Sequence, residues 1–471
     1  MQLAKKTMFK KLSKKTVVPA SILIAFSSIY SHAVYAQENS PYSRFGLGDK
    51  TPSTNIINRG MGGVASGFVS PATINYANPA SYGFFQTTKE FNSKKMLNGR
   101  MVFDVGADIT GRNLINSTTK ERFPATNIQF SHVMVGMPLR NNWGMAFGVR
   151  PLTSIKYSQR ANVLVKDPIT NNIIDSAVAN YEGSGGLNLA SIGTGFKINA
   201  GEKLSIAVGV NGGYIFGKKN AASRMNLHND STEFNGVLYE NQTNYNGMYF
   251  DAGLQLHTQL SKKIYLSVGA NGAWKQKLNT TTERFAGTYV QSEFSGIVKQ
   301  DTVSLSKTEG NIMYPSTMTF GFILEKPQIN YNSTGWSIGA DYTSNKWSDY
   351  RANNIADNSL KNNWQIKIGG EFQPIRKKGY FSQMNYRLGY FTGPDYITFN
   401  SKELKSSGFS LGLGMPLANY NYNMTRQASV INLAFEYLNR GNSSLPIKEN
   451  IYRISVGFSL SDIWFQKRKY D

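Results

Sequence analysis

The sequence predicts an all-β fold: a transmembrane barrel of about fourteen antiparallel strands, with an N-terminal hatch folded into its lumen. Three observations predict it. The chain opens on an export signal, its body alternates apolar and polar residues with a period of two, and the connections between alternating segments are by turns short and long.

Composition bounds the alternatives. The chain has 471 residues, 40% of them hydrophobic, and a formal net charge of +22. Its mean hydropathy of −0.35 leaves no room for a bundle of membrane helices. The absence of cysteine excludes disulfides, thiolate metal sites and a cysteine nucleophile.

The export signal comes first. Met1 to Lys15 carries six lysines and no acid, Val17 to Tyr30 is apolar, and Val34-Tyr35-Ala36 supplies small residues before Gln37. The apolar stretch falls short of the ~20 residues of a spanning helix, so residues 1–36 read as a signal peptide cleaved after Ala36. Cleavage leaves 435 residues and a net charge of +16. An exported chain leaves the compartment of chromosomal DNA, so the charge does not indicate nucleic acid.

The barrel follows over 99–461. Leu204, Ile206, Val208 and Val210 alternate with Ser205, Ala207, Gly209 and Asn211. The same holds for Trp336 to Thr343, Phe409 to Met415, Ile431 to Tyr437 and Tyr452 to Leu460. Segments of roughly ten residues with one apolar and one small or polar face are lipid-facing outside and lumen-facing inside. Only a closed sheet satisfies such backbones in a bilayer. The strands are expected near 99–110, 126–138, 141–154, 186–198, 203–216, 246–259, 263–276, 315–325, 334–344, 363–373, 380–392, 407–416, 427–438 and 450–461. Arg140-Asn141-Asn142, Asn199 to Glu202 and Ser261-Lys262-Lys263 are short turns, whereas 155–185, 217–245 and 277–314 are expected as long loops. Both termini then lie in the periplasm of a Gram-negative bacterium, with residues 462–471 as a periplasmic tail. Trp143, Trp274, Trp364, Tyr390, Tyr437 and Tyr452 fall near strand ends, where an aromatic girdle sits.

Residues 37–98 lack a sustained strand pattern and are too many for a tether, so they are expected as a plug. They hold Ser40-Pro41-Tyr42-Ser43-Arg44-Phe45-Gly46-Leu47-Gly48-Asp49, then Arg59-Gly60-Met61-Gly62-Gly63-Val64-Ala65, then Asn78-Pro79-Ala80.

A Gly-rich stretch followed by Asn-Pro-Ala, ahead of about fourteen strands, resembles the FadL-type outer-membrane transport family. The resemblance implies a fourteen-stranded barrel closed by an N-terminal hatch, and the passage of long-chain fatty acids or other hydrophobic compounds without energy input. It places Arg59, Gly60, Gly62, Gly63, Asn78, Pro79 and Ala80 in the hatch. It also implies a kinked third strand with a side exit to lipid, to which Pro151 would contribute. The leader 40–49 is more elaborate than in plain transporters of that family, and the chain runs on past its last strand to Asp471.

No catalytic, cofactor or metal site is expected. Gly60 to Ala65 matches a dinucleotide fingerprint but follows no strand. Gly335 to Gly339 and Gly408 to Gly412 match a nucleophile elbow inside alternating strands, where small-in and apolar-out patterning produces the motif. His132, His228 and His257 show no metal spacing. Arg150, Asp251, Lys275, Asp341, Lys367, Glu371, Arg387, Glu436 and Arg453 fall on lumen-facing positions, where charges pair with one another, clamp the hatch or line a wet passage. Two functional classes remain: a transporter of hydrophobic compounds, and a non-transporting barrel subunit of a larger secretion or barrel-assembly complex. The partners implied are outer-membrane lipid together with either a hydrophobic small molecule or partner proteins.

Overall fold

A computed structural model describes residues 40–89, 96–167, 169–227, 235–292, 296–328, 330, 332–377, 379–400, 402–417, 427–442 and 445–464. The expected signal peptide 1–36, residues 37–39 and 90–95 of the expected hatch, His228 and the tail beyond 464 lie outside the described residues.

Among the described residues, fourteen strands close into one antiparallel barrel. They are β1 Met96–Asn116, β2 Arg122–Arg140, β3a Trp143–Pro151 continued by β3b Thr153–Lys166, β4 Ile173–Ala200, β5 Leu204–Leu227 and β6 Gly236–Ser261. Next come β7a Ile264–Ala273 continued by β7b Gln276–Ser292, β8a Gly296–Tyr314 continued by β8b Thr317–Lys326, β9 Gly335–Asn345 and β10 Asn363–Gln373. The barrel ends with β11 Asn385–Phe399, β12 Lys402–Pro416, β13 Gln427–Arg440 and β14 Ile447–Trp464. β14 pairs with β1 from Ile447↔Asn116 to Trp464↔Gly99, so the sheet has no terminal edge.

The alternation drives closure. Ile338 and Leu388 face outward, 58% and 61% exposed, while Ser410 and Ser455 point in and are fully buried. Apolar side chains that would be costly in water are stable against lipid, and the ladder pairs the backbone groups. No helix among the described residues is long and apolar enough to cross a membrane.

Two expectations need correction. The segments expected as long loops are largely strand: β4, β5 and β6 run for 28, 24 and 26 residues, far beyond the ~10 needed to span a bilayer. Above the membrane both faces of a strand meet water, so the apolar alternation that marks a strand disappears from the sequence. The last strand also runs past 461 to Trp464, because β1 begins at Met96 and still offers partners there.

The N-terminal segment contacts two separate groups of strands. Its helical turn Ile56–Gly60, capped by Asn55 accepting the Asn58 N–H at 2.9 Å, packs on β11 to β14. Its 3₁₀ turn Pro79–Phe84, capped by Asn78 accepting the Ala80 N–H at 3.1 Å, packs on β4, β5 and β6. Close approach makes glycine necessary in the wall. A Cβ on Gly389 would collide with the Gly62 backbone nitrogen, and one on Gly209 with the Pro79 carbonyl.

Candidate functional site: the buried clamps and the lateral seam

Arg59 sits at the end of the first helical turn, 1% exposed. Its guanidinium donates to both oxygens of Asp108 on β1, at 2.5 and 3.0 Å, to Ser455 on β14 at 2.7 Å and to Ser131 on β2 at 3.1 Å. A bidentate carboxylate pair with two further hydroxyl partners on the terminal nitrogens is an arrangement in which a buried charge is tolerated. Beside it, the Ser410 hydroxyl accepts from the Gly62 N–H at 2.8 Å and donates to the Gly60 carbonyl at 3.1 Å. Asp341 accepts from the Ala65 and Ser66 N–H groups at 2.8 and 2.9 Å. Asn78 donates to the Ser66 carbonyl at 2.8 Å, and Pro79 and Ala80 lie in the turn beneath β5.

A second clamp holds the leader 40–51. Asp49 accepts from Arg440 on β13 at 2.8 Å and lies 3.0 Å from Arg112 on β1. Both guanidiniums also reach Glu449 on β14, at 3.3 and 3.2 Å, and Arg440 reaches Asp395 on β11 at 2.7 Å. Two cations and three anions thus form one buried network across four strands and the leader. Ser40 donates to Glu449 at 2.7 Å, Tyr42 to the Ile447 carbonyl at 2.6 Å, and Tyr396 to the Gly48 carbonyl. Lys219 caps the Arg44 and Gly46 carbonyls at 2.9 and 3.0 Å. Burial alone would push the Asp49 carboxyl up, but Arg440 and Arg112 hold it below the usual carboxylate range. Lys50 lies 4.8 Å from the Trp347 ring centre and 5.4 Å from that of Tyr396. Burial, aided by the Lys367 charge, pushes the Lys50 ammonium down to about 7.

The wall parts beside this clamp. β2 pairs with β3a from Arg140↔Trp143 up to Val133↔Val149, and above that no ladder joins β2 to β3b among the described residues. Pro151 ends β3a while still opposite Asn188 of β4, and β3b resumes at Ile155↔Gly185, one residue out of step. The leader lies along the freed edge of β3b instead. Lys50 and Asp49 stand opposite Thr153 and Ser154, the Thr51 N–H donates to the Leu152 carbonyl at 3.0 Å, and the Ser40 N–H to that of Lys156 at 3.1 Å.

The remaining charges have these places. Arg150 lies 5.5 Å from the Tyr76 ring centre, and Asp251 accepts from Asn211 at 2.7 Å. Arg387 pairs with Glu371 at 2.5 Å and Arg453 with Glu436 at 3.1 Å, while Lys367 packs beside Gly63. Lys275 is a correction. Residues 274 and 275 interrupt the strand between β7a and β7b, inward positions change from odd to even numbers there, and Lys275 is exposed. Gln276 turns in and bonds to the Phe250 N–H and carbonyl at 2.7 and 2.9 Å. A cavity of about 340 Å³ remains, lined by Lys50, Arg112, Arg150, Asp251, Lys367 and Arg453 among others. His132 is buried 3.3 Å from Asp104, and no group of three or more His, Asp or Glu among the described residues is placed to hold a metal.

Arg112, Asp395, Arg440 and Glu449 are clamp residues that the sequence pattern does not single out. Arg112 and Arg440 continue the lumen-facing parity of Asp108, Thr110, Asn432 and Glu436, but the expected strands end at 110 and 438, two residues short.

The model of the BamG family matches residues 14–471. Among solved structures, a Pseudomonas aeruginosa FadL homologue superposes with a TM-score of 0.50 at 12% identity, covering 89% of this chain and 100% of that one. The Pseudomonas putida toluene transporter TodX gives 0.49 at 15% identity, covering 88% and 99%. The Ralstonia pickettii toluene transporter TbuX gives 0.46 at 13% identity, covering 88% and 99%. No curated protein sequence matches. The architecture is that of the FadL-type outer-membrane barrel, and the chain belongs to the BamG family.

Proposed function

We propose that this barrel works as a closed subunit of a larger outer-membrane assembly, with residues 37–98 as a fixed hatch rather than a moving gate. The observation that carries the reading is the double clamp of Arg59 and Asp49, which bonds the N-terminal segment to strands on several sides of the wall. The cavity sets Lys50, Arg112, Arg150, Asp251, Lys367 and Arg453 beside aromatic and aliphatic side chains, so an apolar solute there would have to desolvate charged groups. Gentle native purification followed by mass spectrometry tests it. Stoichiometric partner proteins without a bound apolar small molecule support it; a monomer carrying such a molecule overturns it.

The seam beside Pro151 favours a second reading. A hydrophobic compound, such as a long-chain fatty acid, would enter from outside and leave sideways between β2 and β3b once the leader moved. Vesicles containing the purified barrel would then take up a labelled hydrophobic compound faster than empty vesicles.

A further inference from the structure

We propose that the ring of lysines and arginines around the short-turn end of the barrel is a docking surface for anionic glycerophospholipid headgroups in the periplasmic leaflet of the outer membrane. The inference goes beyond the subunit reading and holds equally under the transport reading, because both place the barrel in that bilayer.

Four observations carry it. First, the charge at this end has one sign. The five connections 141–142, 201–203, 262–263, 327–334 and 374–384 join β2 to β3a, β4 to β5, β6 to β7a, β8b to β9 and β10 to β11. Within them or at the strand ends bounding them stand Arg140, Lys203, Lys262, Lys263, Lys326 and Lys377, and Glu202 is the one acid in the five connections. At the opposite end the signs are mixed: Glu121 follows Lys120, and Asp349 and Asp357 stand among Lys346, Arg351 and Lys361. Second, these six basic side chains form no ion pair among the described residues, and all but the half-exposed Lys326 are exposed. Third, the ring adjoins the apolar belt. The Arg140 guanidinium lies 5.9 Å from the ring centre of the outward-facing Trp143. Lys262 comes two residues after the outward-facing Leu260, which is 58% exposed, and Lys326 stands opposite Trp336, which shares the outward parity of Ile338. A cation at the edge of an apolar band lays its stem along hydrocarbon and holds its charge among lipid phosphates. Fourth, the five turns follow one another round the wall from β2 to β11, so the charge surrounds most of the circumference. A leaflet touches every sector of a barrel at once, whereas a protein partner covers one. The cores of protein interfaces are also depleted of lysine, which fills five of these six positions. A zwitterionic headgroup brings its own cation, so a net anionic headgroup is the better match for unpaired ammoniums.

The test is native mass spectrometry of the full chain in detergent micelles carrying equal amounts of phosphatidylglycerol and phosphatidylcholine with identical acyl chains. The wild type should retain phosphatidylglycerol in preference to phosphatidylcholine, and the preference should shrink as ionic strength rises. Replacing Lys262, Lys263 and Lys377 together by Gln should lower it by at least about fivefold, the effect of one basic residue near an anionic surface. Replacing Lys120, Lys346 and Lys361 together by Gln removes the same charge at the opposite end and should leave it unchanged. Heat-modifiable migration verifies that each variant is folded, and the salt dependence of the wild type tests the proposal without any variant. Equal retention of the two lipids, a preference insensitive to salt, or equal losses in the two triple variants would overturn it. So would an acidic protein that co-purifies with the wild type and is lost from the first variant while neither lipid is preferred, because the ring would then be a protein surface.

Discussion

Arg440 and Asp49, 391 residues apart in the chain, meet at 2.8 Å inside the barrel and join the leader to β13. The same carboxylate lies 3.0 Å from Arg112 on β1, so a single leader side chain ties together strands on both sides of the barrel closure.

Asp49→Asn should release the leader without dissolving the barrel. It removes one of three carboxylates that balance two buried guanidiniums. Leaving a buried pair half-made costs about 3–5 kcal/mol. The expected outcome is rapid proteolysis of residues 40–51 while the strands remain resistant, read by limited proteolysis and intact mass.

The leader should also be held more tightly as pH rises from about 7 toward 10.5. Lys50 is pushed down to about 7 when buried, against its ordinary 10.5. Between those values the released leader binds a proton that the seated leader does not, so raising the pH favours the seated form. Below about 7 both forms carry the charge and the full burial penalty applies. Asp49, held below the usual carboxylate range, contributes no slope in this window. Protection factors of residues 40–51, corrected for the base-catalysed rise of intrinsic exchange, should increase across the window in the wild type, and Lys50→Met should flatten the dependence.

Arg59→Lys should behave much like Arg59→Ala. Arg59 makes a bidentate contact with Asp108 and reaches Ser131 and Ser455 as well. An ammonium is a point donor and cannot reproduce that fork. Either change leaves Asp108 buried and under-paired, a loss of about 3–5 kcal/mol. Adding Asp108→Ala should recover part of it, because the orphaned charge is gone. Denaturant unfolding of the refolded barrel measures all three variants.

The sequence carried the barrel well and the clamps poorly, for one physical reason. Where lipid lies on one side and the lumen on the other, as at Ile431 to Tyr437, burial imposes a period of two that composition cannot hide. Above the membrane that constraint is gone, so 155–166, 173–185, 217–227 and 236–245 read as loops although they belong to paired strands. Arg112, Asp395, Arg440 and Glu449 sit near that transition, just beyond or at the margin of the legible segments. Their partners come from five separate parts of the chain, which no local pattern records. Lys275 failed for the opposite reason: the parity was legible, but the interruption at 274 and 275 that reverses it carries no proline or glycine to announce it.

Gly389→Ala should unseat the first helical turn. Its Cβ would collide with the Gly62 nitrogen, which is backbone and cannot swing aside. Gly379→Ala is the matched control, since a Cβ there meets nothing within 4 Å. The first variant should expose the Gly60 to Gly63 segment to proteolysis and lower the unfolding midpoint, and the second should match the wild type.

A disulfide between Lys50→Cys and Thr153→Cys separates the two functional readings. The two residues stand directly opposite each other, and the Thr51 N–H bond to Leu152 next to them marks 50 and 153 as a non-hydrogen-bonded pair. In such pairs the Cα atoms lie about 4.5 Å apart, within the range a disulfide spans. The chain has no other cysteine, so oxidation can link only these two. If hydrophobic compounds leave through the seam, the leader must part from β3b, and uptake into vesicles should stop on oxidation and return with reductant. If the barrel is a closed subunit, the oxidised and reduced forms should recover the same partners in the same amounts, and neither should take up solute faster than empty vesicles. Reversible, redox-dependent uptake would therefore select the transport reading against the one proposed here.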